Sequence, residues 1–235
     1  MQPNDPTILI TADIDQSLLN EITSKGFVVD VIPFIKTESI QSEKVEQTIE
    51  SISILNAIVV FTSSNAVEVV HHFIQNKKVN WRIYCVGNST RSFIEKSFIG
   101  ATVVASADNA AKLAHQIIAD KQNKSELYFF CGDKRRNELP ELLAQNNIVA
   151  HEIEVYTTTI LQHKLSKQYD GILFFSPSAV DGFFKNNTVN DKTVLFVIGN
   201  TTADEIKKYS KNKIVAGIKP GKKELIEKAV EYFQV

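Results

Sequence analysis

The stretches YCVGNST (Tyr84–Thr90) and FVIGNTT (Phe196–Thr202) are nearly the same seven residues, with Gly87 and Gly199 placed 112 positions apart. An apolar run that breaks into Gly, Asn and two hydroxyl residues marks a buried strand ending at a helix N-terminus. The spacing recurs. VVFTSSNAV (Val59–Val67) aligns with LFFSPSAV (Leu173–Val180), pairing Ser63 with Ser176, Asn65 with Ser178 and Val67 with Val180 at an offset of 113. Val103-Val104-Ala105 aligns with Ile214-Val215-Ala216 at 111, and both lead into amphipathic helices, AAKLAHQII and KKELIEKAV. Three matched segments in one order indicate an internal duplication.

The remaining segments, Ile8–Phe34 and Tyr128–Tyr156, share a plan of apolar strand, polar turn, helix and second apolar strand. Each half therefore reads β-α-β, a short connector, then β-α-β-α-β-α. The strands are short, continuous and rich in Ile, Val and Phe, as strands covered on both faces are. Between them, Leu18, Leu19 and Ile22, and then Leu139, Leu142 and Leu143, fall at helical spacing. The expected fold is α/β, with two doubly wound parallel-sheet domains of flavodoxin or Rossmann type joined by a two-stranded linker. The linkers are the connectors PFIKTESIQSEK (Pro33–Lys44) and VYTTTILQHKLSK (Val155–Lys167), extended in propensity and poor in glycine.

Composition narrows the function classes. A chain of 235 residues with 43% hydrophobic and 23% charged residues and a net charge of −1 reads as an ordinary globular protein without the basic excess of a nucleic-acid binder. No apolar run approaches the roughly 20 residues of a membrane helix, and MQPNDPTILITADIDQ lacks the plan of a signal peptide. Cys85 and Cys131 sit in apolar runs without CxxC spacing, so reduced core residues and a cytoplasmic location are expected. There is no GxGxxG after a strand, no P-loop and no HExxH, and the five histidines form no ligand pattern.

The polar residues concentrate where an open α/β sheet binds ligands, beyond the carboxyl ends of its strands. These are TSSNA (Thr62–Ala66), GNST (Gly87–Thr90), SPSA (Ser176–Ala179) and GNTT (Gly199–Thr202). Each opens a helix whose first N–H groups lack partners and favour anions. Simple helix capping explains Ser, Thr and Asn there equally well. Lys134, Arg135 and Arg136 form either a solvated helix start or a cationic rim. Tyr156, beside the second connector, is either a packing residue or a functional phenol.

In this order VFTSSNAV, VGNST, GDKRRNELPELL, EVYTTTI, FFSPSAV and IGNTTADEI resemble the uroporphyrinogen-III synthase family over nearly the whole chain. The resemblance implies an enzyme, a cyclising hydro-lyase without metal or organic cofactor, that closes the linear tetrapyrrole hydroxymethylbilane to uroporphyrinogen III with inversion of ring D. It implies discontinuous domains, 1–35 with 165–235, and 41–154, linked by 36–40 and 155–164. By position, Tyr156 corresponds to the tyrosine proposed to assist departure of the hydroxyl. Ser63, Ser64, Asn65, Ser89, Thr90, Arg136, Ser176, Ser178, Thr201 and Thr202 fall in the substrate-binding loops. The partner is the small-molecule bilane, with no nucleic acid or membrane, and with transient contact to the preceding pathway enzyme; a monomer is expected. Where family members often carry a strand ending Thr-Arg, this chain has Thr11-Ala12, and Cys131 stands where an arginine usually precedes Gly132. More of the binding then falls to helix N-termini and hydroxyls. The competing readings are a non-catalytic two-domain protein that closes on an anionic small molecule, and a regulatory domain without turnover.

Overall fold

The computed structural model describes residues 5–75, 77–120, 126–217 and 221–234, which hold eleven strands and nine helices. The first half runs β1 (Thr7–Ile10), α1 (Gln16–Ser24), β2 (Val28–Val31), β3 (Ile35–Ser39), α2 (Glu43–Ser53), β4 (Ile58–Phe61), α3 (Ser64–Ile74), β5 (Arg82–Val86), α4 (Asn88–Ser97), β6 (Thr102–Ala107) and α5 (Ala110–Ala119). The second runs β7 (Glu126–Gly132), α6 (Glu138–Gln145), β8 (Val149–Ile160), β9 (Gly171–Phe174), α7 (Pro177–Phe184), β10 (Val194–Val197), α8 (Asn200–Ile206), β11 (Ile214–Ala216) and α9 (Lys222–Gln234).

Two sheets form, and they exchange the halves. One has the order β11-β10-β9-β1-β2, the other β3-β8-β7-β4-β5-β6. Each takes the first two strands of one half and the last three of the other, in the same spatial order. The first is the flavodoxin arrangement and the second the same arrangement with one added edge strand. The chain accordingly divides into two compact units, Met1–Lys36 with Thr159–Val235, and Thr37–Thr158. Both joints fall inside strands, β3 and β8, rather than in loops. At their two ends Leu161 N–H donates to Phe34 O and Ile40 N–H donates to Val155 O, each at 2.9 Å.

The central strands IVVF, GILF and VLFV are buried at every position, because helices cover both faces of each sheet. Alternate residues of β4 point to opposite sides. Val59 and Phe61 meet Ile49 and Ile52 of α2, Val67 and Val70 of α3 and Ile94 of α4, while Ile58 and Val60 meet Leu113 and Ile117 of α5 and Leu139 and Leu143 of α6. The other sheet is clad in the same way, by α1 and α9 on one side and by α7 and α8 on the other.

The expected plan, connector then strand, missed α2. Ser42 precedes it in extended conformation, Glu43 and Glu46 lie in its first turn against the positive end of the helix dipole, and Ile49 and Ile52 supply its buried stripe. The helix extends the first connector, and no described residue of the second connector is helical.

Phe61 is fully buried and stacked between Phe98 and Phe130, with ring centroids 5.7 and 5.5 Å away. Phe61→Ala should therefore cost about 3–5 kcal/mol. Urea unfolding reads this through the fluorescence of the single tryptophan, Trp81, which lies 5.4 Å from Phe98. A loss below about 1 kcal/mol, the scale of an ordinary substitution outside the core, would mean that this stack does not organise the core of Thr37–Thr158.

Candidate active site

At the carboxyl end of β4 the chain turns at Ser63, whose Oγ accepts the Asn65 N–H at 3.1 Å and caps α3. From there α3 turns Asn65, Glu68, Val69 and His72 to one side, at positions i, i+3, i+4 and i+7 of a helix. These residues form one wall of a cavity of about 380 Å³. Thr37, Glu38 and Ser39 of β3, with Gln41 just beyond it, form another, and Tyr156 of β8 completes the lining.

Tyr156 reaches the cavity through a break in the strand register. β8 pairs in parallel with β7, Cys131 opposite Glu154, but the next residue, Gly132, stands opposite Tyr156. Val155 is the extra residue of a bulge, a device that re-aims side chains. In a regular strand successive side chains alternate; here Val155 and Tyr156 both pack on the same core cluster. The ring then lies directly over Gly132. A Cβ there would overlap the ring and come within 2.8 Å of the phenol oxygen. Asp133 fastens the arrangement: its N–H donates to Tyr156 O at 3.2 Å, and its Oδ1 accepts the Thr158 N–H at 2.8 Å. Burial raises the pKa of the phenol above the ordinary tyrosine value; a hydrogen bond with Ser63 lowers it, and Cys131 and Asp133 raise it. At neutral pH the group is a protonated donor beside an open cavity.

Comparison with known proteins gives this geometry a context. The profile of the family described as uroporphyrinogen-III synthase HemD matches residues 16–227. The chain belongs to the uroporphyrinogen-III synthase family. Its activity is that of a cyclising lyase in tetrapyrrole biosynthesis. Among solved structures, uroporphyrinogen-III synthetase from Helicobacter pylori matches with TM-score 0.64 and 14% identity, over 97% of this chain and 99% of that one. A mutant uroporphyrinogen III synthase from Thermus thermophilus matches with TM-score 0.69 and 11% identity, over 97% and 98%. At such identities the likeness is one of fold. No curated protein matches the sequence.

The other residues expected in the synthase's loops fall into two groups, one in each unit. In Thr37–Thr158, Ser63, Ser64 and Asn65 open α3 beside Tyr156, and Ser89 and Thr90 open α4 at the end of the neighbouring strand β5. Gly87, with φ +86°, makes the turn that a side chain would strain. Ser89 is exposed and Thr90 buried, and neither lines the cavity. In the other unit, Ser176 caps α7 by accepting the Ala179 N–H at 3.2 Å, and Ser178 lies in its first turn. Thr201 and Thr202 open α8 on the adjacent strand β10, Thr201 exposed and Thr202 buried. Ser63 and Ser176 thus act as caps whatever else they contact.

The basic run is less cationic than its sequence. Lys134 lies 3.5 Å from Asp133, Arg135 pairs with Glu152 and donates to Asn137 at 2.6 Å, and Arg136 is exposed. Cys131 faces the core, and burial pushes its thiol up to about 12. Beside Ala12, Lys222 Nζ donates to Asp13 O at 2.7 Å. Among the described residues no group of His, Cys, Asp and Glu could hold a metal ion, and no helix is long and apolar enough to cross a membrane.

Sequence reasoning missed Glu38, Glu68 and His72. The helical spacing from Asn65 to His72 was available, but the β3 wall requires knowing that residues 37–39 come beside Tyr156.

Gly132→Ala should force the Tyr156 ring aside, destabilise the protein by about 1–3 kcal/mol as overpacking does, and lower turnover by about 10²-fold through misplacement of the phenol. Urea unfolding together with a product assay measures both. Wild-type stability and turnover would show that the ring is not held against Gly132.

Proposed function

We propose that this chain closes hydroxymethylbilane to uroporphyrinogen III, with Tyr156 as the acid that protonates the departing hydroxyl. The observation that carries the reading is a protonated, half-buried phenol held over Gly132 at the edge of a cavity large enough for a pyrrole ring. The C–O bond breaks with its electron pair on oxygen, Tyr156 supplies the proton, and water leaves. The pyrrole is left as an azafulvenium cation. Ring D attacks it through its substituted carbon, the spiro intermediate fragments, and reclosure at the other carbon of ring D releases the proton that restores the phenol. Acid and base are one group, and no net redox change occurs.

Substrate carboxylates are met by hydroxyl and backbone donors at helix starts, which suit anions. In this reading Ser63, Ser64, Asn65, Ser89, Thr90 and Arg136 bind the substrate in one unit, and Ser176, Ser178, Thr201 and Thr202 in the other, with Asn65, which lines the cavity, at the reacting end. Positioning carries most of the catalysis, since an electron-rich pyrrole expels hydroxide readily. Because the free bilane also closes spontaneously to the type I isomer, receiving it directly from the enzyme that makes it favours the type III product. A monomer working in the cytoplasm is sufficient for this task. A non-catalytic binder would leave the phenol without a function.

Supplying the chain with enzymatically made hydroxymethylbilane and separating the oxidised products tests the proposal. Type III uroporphyrin is expected from the wild type, and Tyr156→Phe should form it about 10²-fold more slowly, the low end for general acid catalysis. Type I alone from the wild type would leave only a binding protein. Full activity of Tyr156→Phe at unchanged stability would make the tyrosine structural.

A further inference from the structure

The charge of the cavity beside Tyr156 is at odds with an anionic ligand. Its walls carry two carboxylates, Glu38 and Glu68, with the His72 imidazole and the Asn65 amide, and none of its described lining residues is a lysine or arginine. A carboxylate entering here would meet two more at short range. A developing cation would meet the opposite, a ready counter-charge. Glu68 is the better placed of the two. It projects from α3 one turn beyond Asn65 and one turn before His72, and among the described residues it makes no hydrogen bond or ion pair. Glu21, Glu95 and Glu152, by contrast, are each paired with a lysine or arginine.

We infer that Glu68 is the counter-ion of the cationic pyrrole in the cyclisation, and that the cavity receives the hydroxyl-bearing end of the bilane rather than any of its carboxylates. The inference rests on the reading given under Proposed function and deepens it. When the C–O bond breaks, the electron pair and the Tyr156 proton leave with the oxygen as water. The positive charge, spread over the pyrrole nitrogen and the methylene carbon, stays beside the Glu68 carboxylate. Glu68 neither gains nor loses a proton. Fragmentation of the spiro intermediate creates a second cation, which the same carboxylate serves. The substrate carboxylates are then held by helix-start donors outside the cavity, so the two charge types of the reaction are met by different walls.

The test compares wild type, Glu68→Gln and Glu68→Asp with enzymatically made hydroxymethylbilane, measuring kcat, KM and the type III fraction. Glu68 is exposed, so the variants should unfold at the wild-type midpoint in urea. Glu68→Gln should lower kcat about 10-fold with KM within about twofold of wild type, the pattern of an interaction made in the transition state alone. Glu68→Asp, which keeps the charge, should recover most of that loss. Wild-type kcat in Glu68→Gln, or a fall in KM showing that the carboxylate merely repels substrate, would overturn the inference while leaving the proposed activity standing. A wild type that forms no type III product would overturn both.

Discussion

Two strand pairings hold this protein together, β1 with β9 and β7 with β4. In the first, Ile8, Leu9 and Ile10 lie opposite Gly171, Ile172 and Leu173; in the second, Val59, Val60 and Phe61 lie opposite Tyr128, Phe129 and Phe130. Each joins strands of different halves of a duplicated chain, and without them neither sheet has a centre. Thr11 adds a side-chain tie across the first pair, its hydroxyl donating to Leu173 O at 2.7 Å. Because the strand order reverses at these pairs, the crevices beyond their carboxyl ends are the natural ligand sites of each sheet. Ser63 and Gly132 flank one, Thr11 and Ser176 the other. Pairing strands so far apart in the chain also makes folding slow to nucleate, since closure entropy precedes the reward of packing.

The candidate site grows from a local departure from that regular frame. A bulge at Val155 turns Tyr156 onto the face it would otherwise leave, the absence of a side chain at Gly132 gives the ring its place, and Asp133 ties the backbone on both sides of it. The phenol is protonated at neutral pH, and its pKa lies above the ordinary tyrosine value because burial outweighs the hydrogen bond with Ser63. The surrounding polar residues are hydroxyls, amides, carboxylates and one imidazole, and no cluster among the described residues could hold a metal ion. That inventory suits a reaction whose substrate supplies its own driving force and whose difficulty lies in directing one carbon–carbon bond.

Much of this was legible in the sequence because the duplication repeats its signals. The Gly-Asn-hydroxyl turns after Val86 and Ile198 marked strand ends and helix starts, and the buried runs marked central strands. The exchange of strands between the halves is invisible to local pattern, since no periodicity says which strand pairs with which; it was expected only through resemblance to a family. Helix α2 was lost because its cap at Ser42 sits inside a segment whose first residues are extended. At the site, the loop residues could be named, yet their burial could not: Thr90 and Thr202 lie inside, Ser89 and Thr201 outside. Cys131 could be seen as a departure, but only the packing explains it, because its side chain faces the core. The acidic wall went unread because Glu38 and Glu68 meet only when β3 is laid beside β8.

The claim on which the account turns is that the reacting end of the bilane sits against Tyr156. Tyrosine labelled with ¹³C at Cζ alone gives six signals, one per tyrosine, and Tyr156→Phe identifies the one that matters. Titration with a bilane carrying methyl in place of hydroxymethyl, which binds but cannot cyclise, should move the Tyr156 signal more than the other five and saturate with binding. A bilane that binds to saturation and leaves the Tyr156 signal unmoved would contradict the account.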